Sequence, residues 1–227
     1  MLKKIIIAID GPSASGKSST ALKVAQQLNY LHIDTGAMYR AVAFKVMQSE
    51  IPFSDIDSIV QIAKNSDIEF KLINNAQNIF LNGEDLSDKI RLPFITEIVS
   101  KISAIEGVRT SMVIKQRLLG KSGGVVLEGR DIGTVVFPNA ELKYFLFANS
   151  LTRAERRKLE LQEKGIAQEV QELEKDLLYR DHLDSSREIS PLKKADDAIG
   201  LDTTNLTLEM QVNHIVTNAN KIINGIK

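Results

Sequence analysis

The 227-residue chain has no cysteine and no tryptophan. Without thiols it can form neither a disulfide nor a thiolate metal site, and a reducing compartment such as the cytoplasm is expected. Aromatic residues amount to 5% of the chain, too few for a platform on which successive bases stack. An excess of charge is missing as well: 29 Lys and Arg offset 29 Asp and Glu. Proteins that neutralise many phosphates along DNA or RNA carry a basic surplus, so small ligands are expected here and no nucleic acid. Long apolar runs are also lacking. The start, MLKKIIIAID, mimics a signal peptide, but its apolar run stops at Asp10 after five residues. That is too short for a signal core, and no stretch reaches the length of a membrane span. A soluble cytoplasmic protein without membrane contact is the expectation.

What is present is an apolar content of 43% and a length that suits one α/β domain with small insertions. The runs KIIIAI (4–9), YLHI (30–33), GVVLE (124–128), LKYFLF (142–147) and DAIGL (197–201) have the unbroken hydrophobicity of parallel strands buried on both faces. Helical patterns occupy 18–28 and 36–47, and one over 207–223 closes the chain. The alternation predicts an α/β fold, a five-stranded parallel sheet flanked by helices. Two regions depart from it. Ile68, Phe70 and Leu72 alternate, Asn74-Asn75 intervenes, and Ile79 and Leu81 alternate before Asn82-Gly83, which predicts a small antiparallel hairpin. Residues 150–187 read as a charged helical pair hinged near Gly165, with too few apolar residues to be core. Such a flap suits a kinase, because water must be kept from a phosphoryl group in transit.

Between the first strand and the first helix lies GPSASGKS, residues 11–18, a match to G-x-x-x-x-G-K-[ST]. Its glycines permit the backbone angles that turn successive N–H groups inward around phosphate oxygens. Lys17 would reach the β- and γ-phosphates of ATP, the Ser18 hydroxyl would ligate Mg²⁺, and the helix adds its positive N-terminal end. A chance match in a chain of this length is on the order of one in a hundred. The ATP cradle expected from this motif runs through Gly11, Pro12, Ser13, Ala14, Ser15, Gly16, Lys17, Ser18 and Ser19.

The loop does not say where the phosphoryl group goes. Water, a neutral hydroxyl and a second phosphate are the candidate acceptors. A GTPase switch would carry N-K-x-D, whereas KKAD at 193–196 lacks the Asn and DAIG at 197–200 follows it in the wrong order. A phosphate acceptor must approach an anionic γ-phosphate, and unscreened repulsion in a dry site amounts to several kcal/mol, so fixed cations are required. Arg is suited to this because it is always charged and bidentate to phosphate. Arg40 lies in HIDTGAMYR just past a strand, Arg130 in LEGRDIG directly after one, and Arg187 closes RDHLDSSR. Arg153, Arg156 and Arg157 have the spacing of one helical face, with Glu160 as an i,i+4 partner for Arg156. Any single arginine could be a solvated surface charge, but ligands of open α/β sheets bind beyond the strand ends where Arg130 falls. Asp10 and Glu128 are candidates for the outer shell of the metal. The three histidines, 32, 182 and 214, lack metal-ligand spacing and read as structural.

The pieces IDGPSASGKS, DTGAMYRA, LEGRDIGTVVFPNA, LQEKG and RD-x-x-D-x-x-R followed by SPL occur in that order, and with them the chain resembles the bacterial cytidylate kinases, nucleoside monophosphate kinases of the P-loop group. The resemblance runs essentially end to end. It implies a core at 1–35, 105–149 and 188–227, a monophosphate-binding insertion at about 36–104 and a lid at about 150–187. It further implies transfer from ATP with Mg²⁺ to CMP or dCMP, with Lys17, Arg130, Arg153 and Arg157 in the catalytic role. Arg40, Arg130 and Arg187 would grip the acceptor phosphate, and Arg180 and Asp184 would face the sugar. Ser100, Arg109 and Asp131 would read the base, with Thr35 and Tyr39 also in the CMP site. A monomer is expected. Ser15, Ser19, Thr35, Glu128 and Ser185 depart from common choices of the family; of these the longer reach of Glu128 bears on the metal. Kinases for another small acceptor, or an ATP-binding module without turnover, are the alternative readings.

Overall fold

The computed structural model describes residues 3–73, 76–163 and 165–226. The chain forms two compact units, one of Met1–Ile33 with Ser122–Lys227 and the other of Asp34–Lys121.

The first unit is built on a five-stranded parallel sheet. Strand β1 (Ile6–Asp10) leads into helix α1 (Lys17–Leu28), and β2 (Leu31–Asp34) follows. Ile7, Ala8 and Ile9 of β1 are all fully buried, which is what an unbroken apolar run requires of a central strand. The chain contributes β3, β4 and β5 and helices α2 to α5 to the second unit before it returns. Those strands are β3 (Ile68–Ile73), β4 (Ala76–Leu81) and β5 (Glu84–Asp85), and the helices are α2 (Thr35–Gln48), α3 (Ile56–Asn65), α4 (Pro93–Ala104) and α5 (Glu106–Gly120). The large sheet resumes with β6 (Val125–Gly129), a π-helical turn Ile132–Val136, and β7 (Leu142–Phe147). Then come α6 (Ser150–Gln162), α7 (Val170–Ser186), β8 (Ile199–Asp202) and α8 (Leu208–Ile223).

The strand order is β2-β6-β1-β7-β8, so β1 lies between β6 and β7. Register places Ile9 opposite Glu128 and Asp10 opposite Gly129 and Phe145. Ile5, Ile7 and Ile9 pack with Ala21, Val24 and Ala25 of α1 and Val212, Ile215 and Ala219 of α8. The Tyr144 hydroxyl in this core bonds His214 Nδ1 at 2.9 Å and accepts from Asn218 at 2.7 Å, as burial of a hydroxyl demands. Helix α6 begins at Asn149, whose side chain accepts from the Thr152 N–H, and α8 begins at Thr207, which accepts from Met210. Helices α6 and α7 carry a small core of their own: Ala154, Leu161, Leu173 and Leu177, with Ala14 of the phosphate loop packed against it. The turn between them uses a left-handed Gly165 at φ +73°.

In the second unit β3, β4 and β5 form an antiparallel sheet, with Phe70 opposite Ile79 and Leu81 opposite Glu84. The expected hairpin is present and gains a third strand of two residues, too short for any period to reveal. The Asn74-Asn75 turn lies outside the described residues. Ile79 and Leu81 face inward as the alternation requires, whereas Leu72 is 68% exposed.

Candidate active site

The phosphate loop occupies the end of β1, and its conformation explains its glycines. A Cβ on Gly11, at φ +147°, would stand 2.0 Å from the carbonyl oxygen of Leu146 in the adjacent β7. Gly16 caps α1 in the left-handed region at φ +89°, and Ala14 shares that region at φ +57°. Lys17 folds back under the loop, donating to the Pro12 carbonyl at 2.5 Å and to Ser15 Oγ at 3.4 Å. Burial pushes its ammonium down to about 7, Arg130 adds to the effect, and Glu128, Asp10 and Asp181 oppose it.

Two carboxylates stand at the strand ends beside the loop. Asp10 is 4% exposed, and its two oxygens accept from the N–H groups of Ile132 at 2.8 Å and Gly133 at 2.7 Å. Burial lifts its pKa to about 6 in spite of those bonds. This carboxylate therefore ties the phosphate loop to the turn that follows Arg130 and Asp131. Glu128 instead accepts from the Ser18 hydroxyl at 2.6 Å, and its other oxygen meets His32 Nε2 at 3.2 Å. Of the two outer-shell candidates, Glu128 is the one in contact with Ser18. His32, read as structural, is buried with its ring nitrogen on this carboxylate. Its partner is 96 residues away, so no local pattern could reveal it. Ser18 and Glu128 offer hard oxygen atoms, and among the described residues no group of three His, Cys, Asp or Glu could hold a metal ion unaided. Such a donor set fits Mg²⁺ carried on nucleotide phosphates, an ion that takes few ligands from protein.

Carboxylates of α7 hold three arginines of this unit, Arg130, Arg187 and Arg153. Arg130 Nε donates to Asp184 at 2.8 Å, and Arg187 pairs with the other Asp184 oxygen at 3.5 Å. Burial raises the Asp184 carboxyl, but Arg130, Arg187 and Arg180 outweigh it and keep it below the usual carboxylate range. Asp131 is buried at the start of the π-helical turn. Arg153, 5% exposed, donates to Asp181 at 2.5 Å and to the Ser13 carbonyl of the phosphate loop at 3.2 Å. Its two spacing partners behave differently. Arg156 is bonded to Thr203 through both Oγ1 (3.1 Å) and the carbonyl (2.6 Å), and Thr203 in turn donates to the Ser15 carbonyl. The partner of Glu160 is Arg157, at 3.0 Å and three residues away, in place of the expected Arg156. Arg156 is drawn off because the Thr203 carbonyl and hydroxyl, themselves held against the phosphate loop, outcompete an exposed surface carboxylate. Thr203 went unread in the sequence, and Asp181, though within RDHLDSSR, carried no assigned role; the signal for it was its i,i+3 spacing from Asp184.

In the second unit, Asp34 caps α2 by accepting from Ala37 at 2.8 Å and takes Arg40 at 2.9 Å. Thr35 and Tyr39 are buried on the same helix. The Arg109 guanidinium lies 5.3 Å from the centroid of the Tyr39 ring and donates to the Ser103 carbonyl at 3.2 Å. Ser100 sits one turn before Ser103, its carbonyl accepting from the Ser103 hydroxyl at 3.2 Å. Thr35, Tyr39, Arg40, Ser100 and Arg109 thus belong to one unit, and residues 11–19 with Arg130, Asp131, Arg153, Arg157, Arg180, Asp184 and Arg187 to the other.

A protein-family model described as cytidylate kinase matches residues 7–221. A cytidylate kinase of Bacillus cereus is 46% identical over 226 residues, covering 100% of this chain and 99% of that protein. One of Bacillus thuringiensis is 47% identical over 216 residues, covering 95% and 96%. A shikimate kinase structure from Bacteroides thetaiotaomicron superposes with a TM-score of 0.50 at 10% identity, covering 98% of this chain and 99% of that one, a likeness of fold. Identity of this degree along the whole length, joined to a phosphate loop whose Ser13 carbonyl is held by the buried Arg153, leaves one conclusion: the chain belongs to the cytidylate kinase family.

Proposed function

We propose that the protein transfers the γ-phosphoryl group of ATP to CMP or dCMP, releasing ADP and CDP or dCDP. Curated relatives named cytidylate kinase, alike over the full chain, support the reaction. The observation that carries the mechanism is the gathering of cations at the phosphate loop. Lys17 lies close enough to Arg130 for that charge to lower its pKa, and Arg153 is bonded to the loop itself.

Residues 11–19 hold the ATP phosphates. An oxygen of the CMP phosphate attacks the γ-phosphorus, the bond to the β-phosphate oxygen breaks, and ADP leaves. That attacking oxygen is already anionic at neutral pH, so no general base is needed, and catalysis rests on position and charge. Arg40, Arg130 and Arg187 grip the acceptor phosphate and offset its repulsion from the donor, Lys17 follows the β- and γ-oxygens, and Arg153 and Arg157 are the lid cations. Kinases of this family use ATP with Mg²⁺; here Ser18, with Glu128 behind it, would hold the ion, which neutralises phosphate charge. Arg180 and Asp184 face the sugar, with Thr35 and Tyr39 beside the acceptor. Asp131 accepts from the cytosine N4 amino group, and Arg109 and Ser100 donate toward N3 and O2. Uracil puts an oxygen where cytosine has the amino group, so Asp131 repels it. A monomer acting in the cytoplasm completes this reading. Among the described residues no helix is long and apolar enough to cross a membrane.

ATP with Mg²⁺ incubated with CMP, dCMP, UMP and AMP, with products separated by chromatography, tests this reading. CDP and dCDP should form in step with ADP and well ahead of UDP. ADP released at a rate that ignores CMP would overturn it.

A further inference from the structure

We propose that Asp181 is a positioning residue for phosphoryl transfer, orienting Arg153 so that one edge of its guanidinium faces the group in transit. The inference deepens the reaction proposed above and rests on it. Both bonds made by Arg153 leave from one atom. Nη1 donates to Asp181 Oδ2 and to the Ser13 carbonyl, so protein groups hold one corner of the fork. Nε, on another edge, is buried and has no hydrogen-bond partner among the described residues. A buried guanidinium N–H left unpaired costs free energy, which a ligand oxygen placed against it would recover. The edge that contains Nε is one of those with which arginine grips phosphate oxygens in bidentate fashion.

The location is the one a transferring phosphoryl group requires. Ser13 is part of the phosphate loop, so a guanidinium on its carbonyl stands at the rim of the ATP site. Asp181 acts electrostatically on Lys17, the residue under the loop, so carboxylate and both cations share one field. Asp181 and Asp184 lie three apart on α7, on one helical face, and each clasps an arginine: Asp184 holds Arg130 and Arg187, and Asp181 holds Arg153. One turn of α7 therefore fixes cations for both ends of the transfer. Arg157, in contrast, bonds to a 55% exposed Glu160 on its own helix, which gives no comparable orientation. Removal of the Asp181 charge lets the guanidinium rotate about its side-chain bonds, and misorientation is felt most in the transition state.

Three measurements test this. Turnover should fall in the order wild type, Asp181→Asn, Asp181→Ala, by roughly tenfold and a hundredfold, while the CMP KM stays within about threefold. In an Arg153→Ala background Asp181→Asn should change kcat by less than about twofold, because the residue it positions is gone. An unchanged kcat in Asp181→Asn, or effects that multiply in the double variant, would overturn the proposal. The third measurement needs no variant: the Nε–H resonance of Arg153 in ¹⁵N-labelled wild type, before and after ADP, Mg²⁺ and aluminium fluoride. A large shift with slowed hydrogen exchange supports the Nε edge as the phosphoryl contact, and an unmoved signal refutes it. Because this readout needs no CMP, failure of the acceptor reading and failure of this proposal are separately visible.

Discussion

Asp10 holds a negative charge in a place that disfavours one, and its neighbours show why it is kept there. Two backbone N–H groups from the turn after Asp131 converge on it, so the carboxylate ties the end of β1, where the phosphate loop begins, to that turn. Burial nevertheless leaves its pKa at about 6, above the 3.8 of an unfolded chain. The raised value fixes the sign of the linkage: stability from this group is greatest below pH 4 and is lost as pH rises through 6. The full span is about 3 kcal/mol, from a shift of about two pKa units at 1.36 kcal/mol each. Denaturant unfolding of wild type and Asp10→Asn at pH 5 and pH 7.5 should show the difference moving toward wild type at the lower pH. A gap that does not change with pH would mean that the carboxylate is not disfavoured by burial. Base choice belongs to the same scale. Asp131→Asn replaces a repulsive acceptor with an amide that can donate to uracil O4, and the CMP-over-UMP ratio of kcat/KM should narrow by about tenfold or more. A ratio equal to wild type would remove Asp131 as the base reader.

Among the elements, the junction of β1 and α1 is the most constrained. The loop leaves the sheet where β7 runs alongside, and the Leu146 carbonyl fills the space that any side chain at position 11 would need. Gly11→Ala must move either the loop or β7. It should cost about 2–3 kcal/mol of stability and abolish measurable ATP binding, read by thermal unfolding and calorimetry. Wild-type affinity in that variant would show that the loop has slack which the geometry denies. The two helices expected to form a lid stand in contrast. Helices α6 and α7 were legible as a charged pair with a glycine hinge, yet their four-residue core and its contact with Ala14 were not. A few buried leucines spaced along a polar helix look the same as exposed ones until the partner helix is placed.

At the scale of the whole molecule, the chain divides into a nucleotide-loop unit and a helical unit with a small sheet. Anything that binds the folded state and not the unfolded chain stabilises it by mass action, about 2.7 kcal/mol at a hundredfold excess over Kd. For a chain of this size ATP with Mg²⁺ should raise Tm by about 5–10 °C, and chelation of the metal should remove most of that rise. An equal rise from ATP in the presence of a chelator would count against Ser18 and Glu128 as the place of the ion.

The features settled by the amino-acid order alone are those whose physics is local. A buried parallel strand is a contiguous apolar run, a phosphate loop is a run of residues that tolerate tight turns, and a capped helix has its capping side chain next to it. That is why five strands, the loop at 11–18 and the closing helix were legible before any fold was known. What the tertiary structure decided is the pairing of charges. Ser18 meets Glu128 across 110 residues, Asp10 meets Ile132 across 122, and Arg130 meets Asp184 across 54. A long charged side chain takes whatever partner the neighbouring element presents. That partner depends on the order β2-β6-β1-β7-β8, which no stretch of the chain spells out.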